Sequence, residues 1–388
     1  MKIIVVSPRF PYPLEKGDKL RLYHQLKSLA QHHEIVLVSL TDCPVNTQDI
    51  KHIDSIVSKS YIFNLSKFKI AARLLGGLWS KLPFQVLYFY NPGIKRKIHD
   101  IITKEKPDAI YNQLLRTAEY TRDIKSGFKV LDYMDSFSQG MYKRLNSSSF
   151  PFRQIYKIEY KRLKKYEEEI FHYFDKHTII SQQDKDSFPS VIKDKLYVIP
   201  NGVDTHFFSP RKAEKIYDLG FVGNMGYRPN VIASEYLVRE IYPALSKKYK
   251  DIKVLLAGAR PHARVKKLAD ENITVSGWME DIRMAYAQTK IFIAPIFTGI
   301  GQQNKILEAM SMEIPVVTTT PVNNAIGAEN NKNIIVADDK NSFIKAIISL
   351  LEDPAKREET GKNGRDFVKN NYSWQHHNKK LLSLFEKK

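Results

Sequence analysis

Residues 291–319 read IFIAPIFTGIGQQNKILEAMSMEIPVVTT, the stretch from which the fold class is most clearly predicted. An apolar strand ends at Pro295, a glycine-containing loop follows, and a helix begins near Gln302. A second apolar strand, 315–318, comes directly after that helix. Strand, helix and strand in this order are typical of a parallel sheet covered by helices, so the stretch predicts an α/β fold.

Two charged residues lie on the predicted helix of this stretch. Lys305 and Glu308 are three residues apart and share one helix face near the amino end. Backbone N–H groups at a helix start attract phosphate oxygens, and a lysine can place its charge on a phosphate. A carboxylate such as Glu308 can accept both hydrogen bonds of a ribose diol. The spacing therefore favours a nucleotide diphosphate site, while a solvated surface pair on an amphipathic helix remains the alternative.

The rest of the chain alternates strand-like and helix-like segments in two series. The first series ends at Pro200–Asp204, where Asn201-Gly202 marks a turn. We therefore predict an amino-terminal domain over 1–200 and a carboxy-terminal domain over 201–371, with the last helix, 372–388, packing back on the first domain. Because ligands lie at the carboxyl ends of strands in open α/β sheets, we expect the two doubly wound domains to face each other across a cleft.

Composition limits the possible functions. The 388 residues carry a net charge of +19, and residues 51–100 alone hold nine basic and two acidic residues. Nucleic acid, anionic lipid and phosphorylated small molecules are the partners that such a charge fits. Cys43 is the single cysteine, which excludes an internal disulfide and favours a reducing, cytoplasmic compartment. No stretch reaches the roughly 20 apolar residues of a membrane span.

Several motifs, in the right order, resemble one enzyme family. The chain resembles the family-four retaining glycosyltransferases of the GT-B fold, which consists of two Rossmann-like domains. The resemblance is closest in the second half, in VIPNGVDTHFFSP (198–210), LGFVGNMGYRPN (219–230), VSGWMEDIRMAYAQTKIFIAPI (275–296) and NKILEAMSMEIPVVTT (304–319). In the first half it rests on Gly17, LDYMDS (131–136) and IISQQD (179–184), each a weaker signal.

The resemblance implies roles for individual residues. Lys305 and Arg228 would neutralise the diphosphate of a nucleotide-sugar donor, and Glu308 would hold its ribose. The other donor-binding residues it implies are Gly17 in the loop after the first strand, Gly223 and Asn224 in the opening loop of the donor domain, Gly277, Trp278 and Met279 around the base, and Thr298, Gly299, Ile300, Gly301 and Gln302 beside the sugar.

Two positions depart from the family pattern. The family often has a glutamate where this chain has Ile300, so the usual contact to the sugar hydroxyls is missing. Many relatives have a histidine where this chain has Met134. The family generally needs no metal, and this sequence has no two histidines at ligand spacing. We expect no cofactor and no metal site.

Two further features each have two interpretations. Asp135 is a candidate catalytic carboxylate on the acceptor side, or else the cap of the helix that follows it. Residues 67–85, KFKIAARLLGGLWSKLPFQ, form a basic amphipathic stretch that suits an anionic membrane surface. The alternative is an ordinary helix that packs on the first sheet and ends at Gly76-Gly77.

The function expected from these features is a retaining transfer of a hexose from a nucleotide-sugar to a lipid-linked or saccharide acceptor. Such an enzyme would act in cell-surface polysaccharide or glycolipid biosynthesis, in the cytoplasm or peripherally on the inner face of the cell membrane. A nucleotide-sugar epimerase or a phosphorylase on the same fold is the first alternative. A basic nucleic-acid-binding protein is the second, although no nucleic-acid-binding motif is present.

Overall fold

The structure, a computed structural model, describes residues 1–146, 148–297 and 302–386. The chain divides into two compact units. Unit 1 comprises Met1–Pro200 and His377–Lys388, and unit 2 comprises Asn201–His376. Among the described residues, no helix has both the length and the apolar character that crossing a bilayer requires.

Unit 1 is built on a seven-stranded parallel sheet. Its strands are β1 (Lys2–Ser7), β2 (Glu34–Thr41), β3 (Lys59–Asn64), β4 (Ala109–Gln113), β5 (Phe128–Met134), β6 (Lys176–Ile179) and β7 (Leu196–Val198). Their order in the sheet is β3-β2-β1-β4-β5-β6-β7. In β1, Ile3 and Val5 enter one core while Ile4 and Val6 enter another. Side chains alternate across a strand, so this central strand is apolar on both faces.

The helices of unit 1 connect these strands. They are α1 (Gly17–Leu29), α2 (Thr47–Asp54), α3 (Lys67–Gly76), α4 (Phe84–Phe89), α5 (Pro92–Glu105), α6 (Phe137–Asn146), α7 (Phe152–Phe171), α8 (Gln182–Lys185) and α9 (Ser190–Lys193), with 3-10 turns at Gly77–Trp79 and Leu115–Tyr120. The last helix of the chain spans Trp374–Ser383. Leu381 and Phe385 are buried in the same core as Ile3 and Leu26, which ties the end of the chain to unit 1.

Unit 2 repeats the architecture with six parallel strands. They are β8 (Tyr217–Val222), β9 (Val254–Ala257), β10 (Ile273–Gly277), β11 (Thr289–Ala294), β12 (Val316–Thr318) and β13 (Ile335–Val336), in the order β10-β9-β8-β11-β12-β13. The helices are α10 (Arg228–Tyr236), a π-helical turn (Leu237–Ile241), α11 (Tyr242–Lys248), α12 (Ala263–Lys266), α13 (Ile282–Ala287), α14 (Asn304–Ser311), α15 (Thr320–Ile326), α16 (Lys340–Glu352) and α17 (Pro354–Asn371); the last helix of the chain, Trp374–Ser383, is α18. The two parallel sheets confirm the predicted α/β class.

Each sheet has one point at which the strand order reverses. In unit 1 the chain leaves β1 toward β2 and later returns to pair β4 on the other side of β1. In unit 2 the same reversal separates β8 from β11. Ligands of open α/β sheets bind outside the carboxyl ends of the strands at such a reversal, so each unit has one place where a ligand site is expected.

Candidate functional site

The reversal point of unit 2 brings α14 next to the loop that follows β8. Lys305 lies in the first turn of α14, and its Nζ donates hydrogen bonds to Asn230 Oδ1 at 2.7 Å and to Gln303 Oε1 at 3.0 Å. Gln303 precedes the helix, and its side chain does not cap it. The first backbone N–H groups of α14 are therefore not capped by the Gln303 side chain, and they lie beside a lysine whose hydrogen-bond partners are neutral amides.

Burial sets the charge state of this lysine. Lys305 is partly buried, and its burial lowers its pKa to about 8, although nearby Glu308 acts in the opposite direction. No carboxylate lies within ion-pair distance of Lys305 in the part of the chain that the structure describes. A buried cation that has only neutral partners gains more from an incoming anion than an exposed one would.

Glu308 lies one turn further along α14 and has a partner of its own. The hydroxyl of Tyr286, a fully buried residue of α13, donates to Glu308 Oε2 at 2.7 Å. Burial raises the pKa of Glu308, opposed by this hydrogen bond and by Lys305. The alternative of a solvated Lys305–Glu308 surface pair is wrong, because both side chains are partly buried and each is held by a different residue.

Two of the predicted residues, Asn224 and Arg228, lie in the loop after β8 and at the start of α10. Arg228 is the first residue of α10 and is exposed, and its side chain has no hydrogen bond or ion pair to the rest of the described chain. Asn224 is exposed, and its Oδ1 accepts from the backbone N–H of Gly226. Asn230 donates to the backbone oxygen of Asn224 at 2.9 Å while it accepts from Lys305. Asn230 thus connects the loop to the lysine.

The glycines of this region serve packing as well as turns. A Cβ on Gly223 would lie 2.8 Å from Asn230 Nδ2 and 3.3 Å from Lys305 Cε. Gly258, which follows β9, has a φ of +137°, and a Cβ there would lie 1.8 Å from the backbone oxygen of Gly223. The sequence suggested that glycines here admit a ligand. The structure shows that the missing side chains also allow other segments of the same chain to pack closely against these glycines.

The remaining donor-binding predictions lie around these elements. Gly277 ends β10 with a φ of +70°, Trp278 is 73% exposed, and Met279 packs on the core. Gln302 binds the backbone of Asn201, donating to its oxygen at 2.6 Å and accepting from its nitrogen at 2.9 Å. Thr298, Gly299, Ile300 and Gly301 lie outside the described residues.

In unit 1, Gly17 and Asp135 lie at the carboxyl edge of the sheet. Gly17 is the first residue of α1, is exposed, and has no atom within 4 Å of the place its Cβ would take. Asp135 follows Met134, whose φ of +61° is unusual for a residue other than glycine. Such conformations persist only where surrounding structure holds them, and they concentrate at functional sites.

Asp135 does not cap the helix that follows it. The backbone N–H of Gln139 points to Ser136 Oγ at 3.4 Å, and the N–H of Ser138 donates to Glu167 at 3.0 Å. The capping interpretation of Asp135 is therefore wrong. Its side chain reaches solvent, yet desolvation by the surrounding protein and the carboxylate of Asp184 raise its pKa to about 7, with Arg21 opposing.

A buried ion pair beneath Asp135 is absent from the sequence-based predictions. Arg21 Nε donates to Asp132 Oδ2 at 2.7 Å, and neither side chain is exposed. Tyr111 and Thr178 donate to the same carboxylate, and the backbone N–H of Met134 points to its Oδ1 at 3.2 Å. The available signal was a charged residue inside each of two apolar segments, the core face of α1 and strand β5.

Comparison with known proteins gives this geometry a chemical meaning. Residues 217–353, most of unit 2, match the family described as glycosyl transferases group 1. This segment of unit 2 thus matches the group 1 glycosyltransferases, and the protein is a glycosyltransferase. Among relatives of this glycosyltransferase, an uncharacterized 44.6 kDa protein of the cps region of Klebsiella pneumoniae is 26% identical over 96% of both chains.

Solved structures show the fold of this glycosyltransferase to be GT-B. Sucrose-phosphate synthase from Thermosynechococcus elongatus superposes with a TM-score of 0.72 at 14% identity, covering 99% of this chain and 98% of its own. HepE from Anabaena, in complex with UDP and glucose, superposes with a TM-score of 0.69 at 14% identity, covering 99% of both chains. The family match favours a glycosyltransferase over the epimerase, phosphorylase and nucleic-acid alternatives.

Proposed function

We propose that this glycosyltransferase binds a nucleoside-diphosphate sugar at the reversal point of unit 2 and transfers the sugar with retention of configuration. The observation that carries the proposal is the partly buried Lys305, held by neutral amides at the open start of α14. A diphosphate supplies the negative charge that this position lacks. Structurally related HepE has been solved with UDP and with UDP-glucose, which supports a donor of this kind.

The other residues of unit 2 then take complementary roles. Glu308 holds the ribose diol, because Tyr286 binds its Oε2 and no other residue of the described ranges binds its Oε1. Exposed Arg228 adds a second cation for the diphosphate, and Trp278 offers an exposed aromatic face to the base. Gly223, Asn224, Gly277, Met279 and residues 298–302 complete the donor site.

Transfer breaks the bond between the sugar C1 and the diphosphate oxygen and forms a bond from C1 to an acceptor oxygen on the same face of the ring. Negative charge develops on the departing phosphate, where Lys305 and Arg228 stabilise it. One donor of this type contributes about 3–4 kcal/mol in other enzymes. The reaction proposed here needs no metal. Asp135, with a pKa near 7, positions the acceptor and can receive its hydroxyl proton.

The proposed acceptor is a saccharide or a lipid-linked saccharide on the way to a cell-surface polysaccharide or glycolipid. The Klebsiella relative, named for its cps region, supports this class of product. A lipid-linked acceptor requires a protein that reaches the membrane. We therefore propose that the enzyme acts in the cytoplasm and binds peripherally to the inner face of the cell membrane.

The surface of residues 67–85 supports membrane binding. It contains α3, which ends at Gly76 and buries Ile70 in the core of unit 1 as the helix interpretation predicts, while four large apolar side chains of the segment remain exposed. Phe68 is 90% and Trp79 83% exposed. Lys67, Lys69 and Lys81 are also exposed, and no acidic residue occurs between 67 and 85. Aromatic insertion together with attraction of each lysine to anionic lipid, about 1 kcal/mol per charge, would bind such a segment.

Sedimentation with liposomes tests the membrane proposal. Wild-type protein should pellet with vesicles that contain phosphatidylglycerol and remain in solution with pure phosphatidylcholine. A Phe68→Ser, Trp79→Ser double variant should lose this binding, whereas Tyr227→Ser, a change at an exposed aromatic of unit 2, should keep it. Binding that does not depend on anionic lipid would remove this proposal.

A thermal-shift panel tests the donor site. One nucleotide among UDP, GDP, ADP and CMP compounds should raise the unfolding temperature, and the others should not. A ligand at a hundredfold excess over its Kd stabilises the folded protein by about 2.7 kcal/mol. Lys305→Glu should abolish the shift. The same charge reversal at exposed Lys345 should preserve it. Equal shifts in both variants would place the nucleotide elsewhere.

A further inference from the structure

The reversal point of unit 1 is flanked by two arginines that the proposed chemistry does not use. Arg9 follows β1 by two residues, and Arg116 lies in the 3-10 turn that follows β4. These are the two strands between which the strand order of unit 1 reverses. Both arginines therefore lie where a doubly wound sheet is expected to hold a ligand.

The two guanidinium groups share an aromatic neighbour. The Cζ of Arg9 is 5.5 Å from the ring centre of Phe89, and the Cζ of Arg116 is 5.2 Å from the same ring. Arg116 also lies 4.9 Å from the ring of Phe137, two residues beyond Asp135. The ring of Phe89 limits how both guanidinium groups can turn, and Phe137 limits that of Arg116 further, which restricts the direction of their N–H groups.

The polar partners of Arg9 and Arg116 do not use all of the N–H donors of these two side chains. Arg9 forms an ion pair with Asp18, and Arg116 donates to Gln85 Oε1 at 2.8 Å. The Nε of each arginine is buried and has no hydrogen-bond partner within the described ranges. Buried N–H groups in native proteins almost always have a partner, so these two donors indicate a ligand that completes them.

The positive charge of Arg116 also indicates a ligand, and one that is negatively charged. Within the described part of the chain, Arg116 has no carboxylate at ion-pair distance, so its positive charge is not compensated. Burial and the neighbouring charge of Arg9 lower the pKa of Arg116 to about 10. An uncompensated buried cation is costly, and an anion bound between such groups removes that cost.

We propose that the reversal point of unit 1 is an anion subsite, in which Arg9 and Arg116 bind a phosphate or carboxylate group of the acceptor. This proposal rests on the proposed function, because it assigns unit 1 to the acceptor. Guanidinium groups bind both anions through paired N–H donors. The sugar hydroxyl that reacts would then belong to an acceptor with a negative charge close to it, such as a sugar phosphate or a uronic acid.

Binding measurements on the whole protein test the subsite. The protein is first saturated with the nucleotide that stabilises it most, and then titrated by calorimetry with glucose 1-phosphate, glucuronate, inorganic pyrophosphate or glucose. Arg116→Gln should weaken binding of the anionic probes by about tenfold or more, the usual contribution of a charged hydrogen bond. Arg116→Lys should lie between wild type and glutamine, and Arg9→Gln should weaken the same probes. Arg96→Gln, at an exposed arginine of α5, should bind like wild type.

The probes also separate the possible outcomes. A preference for glucose 1-phosphate identifies a phosphorylated acceptor, and a preference for glucuronate identifies an acidic sugar. Anionic and neutral probes that bind equally, or an Arg116→Gln variant that binds anions like wild type, would overturn the subsite. So would an Arg116→Gln variant that loses nucleotide affinity but keeps anion affinity, since the arginine would then serve the donor. If no nucleotide shifts the wild-type unfolding temperature, the proposed function itself fails.

Discussion

The two units share a topology but support their charged groups in opposite ways. In unit 2, Lys305 and Glu308 are held by the neutral side chains of Asn230 and Tyr286. In unit 1, the strand that leads to Asp135 is held by a fully buried ion pair, Arg21 with Asp132. Sheet topology therefore determines where each unit places its charges, while the supporting residues determine how much of that charge remains for a ligand.

This difference has a chemical consequence. A neutral amide leaves the charge of Lys305 uncancelled, which suits a group that must attract a diphosphate. The Arg21–Asp132 pair cancels its own charge, so it orders the β5 loop without adding a net charge. A buried pair of this kind is costly to break, because loss of one partner leaves the other charged and desolvated.

Removal of Arg21 is expected to have the largest effect. Arg21→Met leaves the Asp132 carboxylate buried without a cation, which should lower the free energy of unfolding of unit 1 by about 3–5 kcal/mol. Urea unfolding followed by circular dichroism measures this. Lys332→Met breaks an exposed pair in unit 2 and should cost less than about 1 kcal/mol. Equal midpoints for Arg21→Met and wild type would show that unit 1 does not depend on the pair.

Removal of the Lys305 charge should affect turnover rather than folding. Lys305→Ala should lower kcat/KM for transfer by about 100-fold to 1,000-fold, the usual effect of losing one group that stabilises developing negative charge. Lys345→Ala, at an exposed lysine of the same unit, is the matched control and should keep full activity. Steady-state kinetics with the donor identified by thermal shift measures both. A Lys305→Ala enzyme with unchanged kcat/KM would exclude this lysine from the donor site.

The pH dependence should report one residue from each unit. Since burial lowers the pKa of Lys305 to about 8, its charge disappears as pH rises through 8, and kcat/KM should fall there. Lys305→Arg should move this limb to higher pH. The pKa of Asp135 is about 7, so kcat/KM should rise through pH 7, and Asp135→Asn should remove that limb. An alkaline limb that persists in Lys305→Arg would assign it to another group.

The lowered pKa of Lys305 also makes the stability of the folded protein depend on pH in a defined direction. The folded protein binds its Lys305 proton more weakly than the unfolded chain, whose lysine has a pKa near 10.5. Between these two values the unfolded state holds more protons, so this residue makes the protein more stable as pH rises from about 8 to 10.5. Lys305→Gln should flatten that part of the stability profile.

Alanine substitutions at two glycines with different backbone conformations should have the smallest effects on the free energy of unfolding. Gly140 in α6 of unit 1 and Gly277 in unit 2 both have open space where a Cβ would be added. Gly140→Ala should stabilise by about 0.5–1 kcal/mol, because alanine restricts the unfolded chain and favours helix. Gly277 has a φ of +70°, so Gly277→Ala should destabilise by about 1–2 kcal/mol. Changes of the same sign would contradict the left-handed conformation assigned to Gly277.

Local sequence patterns were sufficient to predict the strands and helices and one face of the candidate site in unit 2. The apolar run that begins at residue 291 predicted β11, and the helix expected after the following loop is α14, with Lys305 and Glu308 on one face. Periodicity encodes burial directly, since each apolar side chain must find a core. Local patterns did not settle whether Asp135 caps α6. Ser136, the next residue, can also cap a helix, and the start of a helix cannot be placed to within one residue from the sequence.

The sequence by itself determined the two series of strands and helices, the excess of positive charge, and the residue types at the start of α14. Tertiary structure alone decided which residues support them. Asn230 meets Lys305 across 75 positions, and Asp132 meets Arg21 across 111. Contacts of this kind follow from the order of strands in each sheet. That order arises from the packing of whole elements, so no local pattern in the chain reveals it.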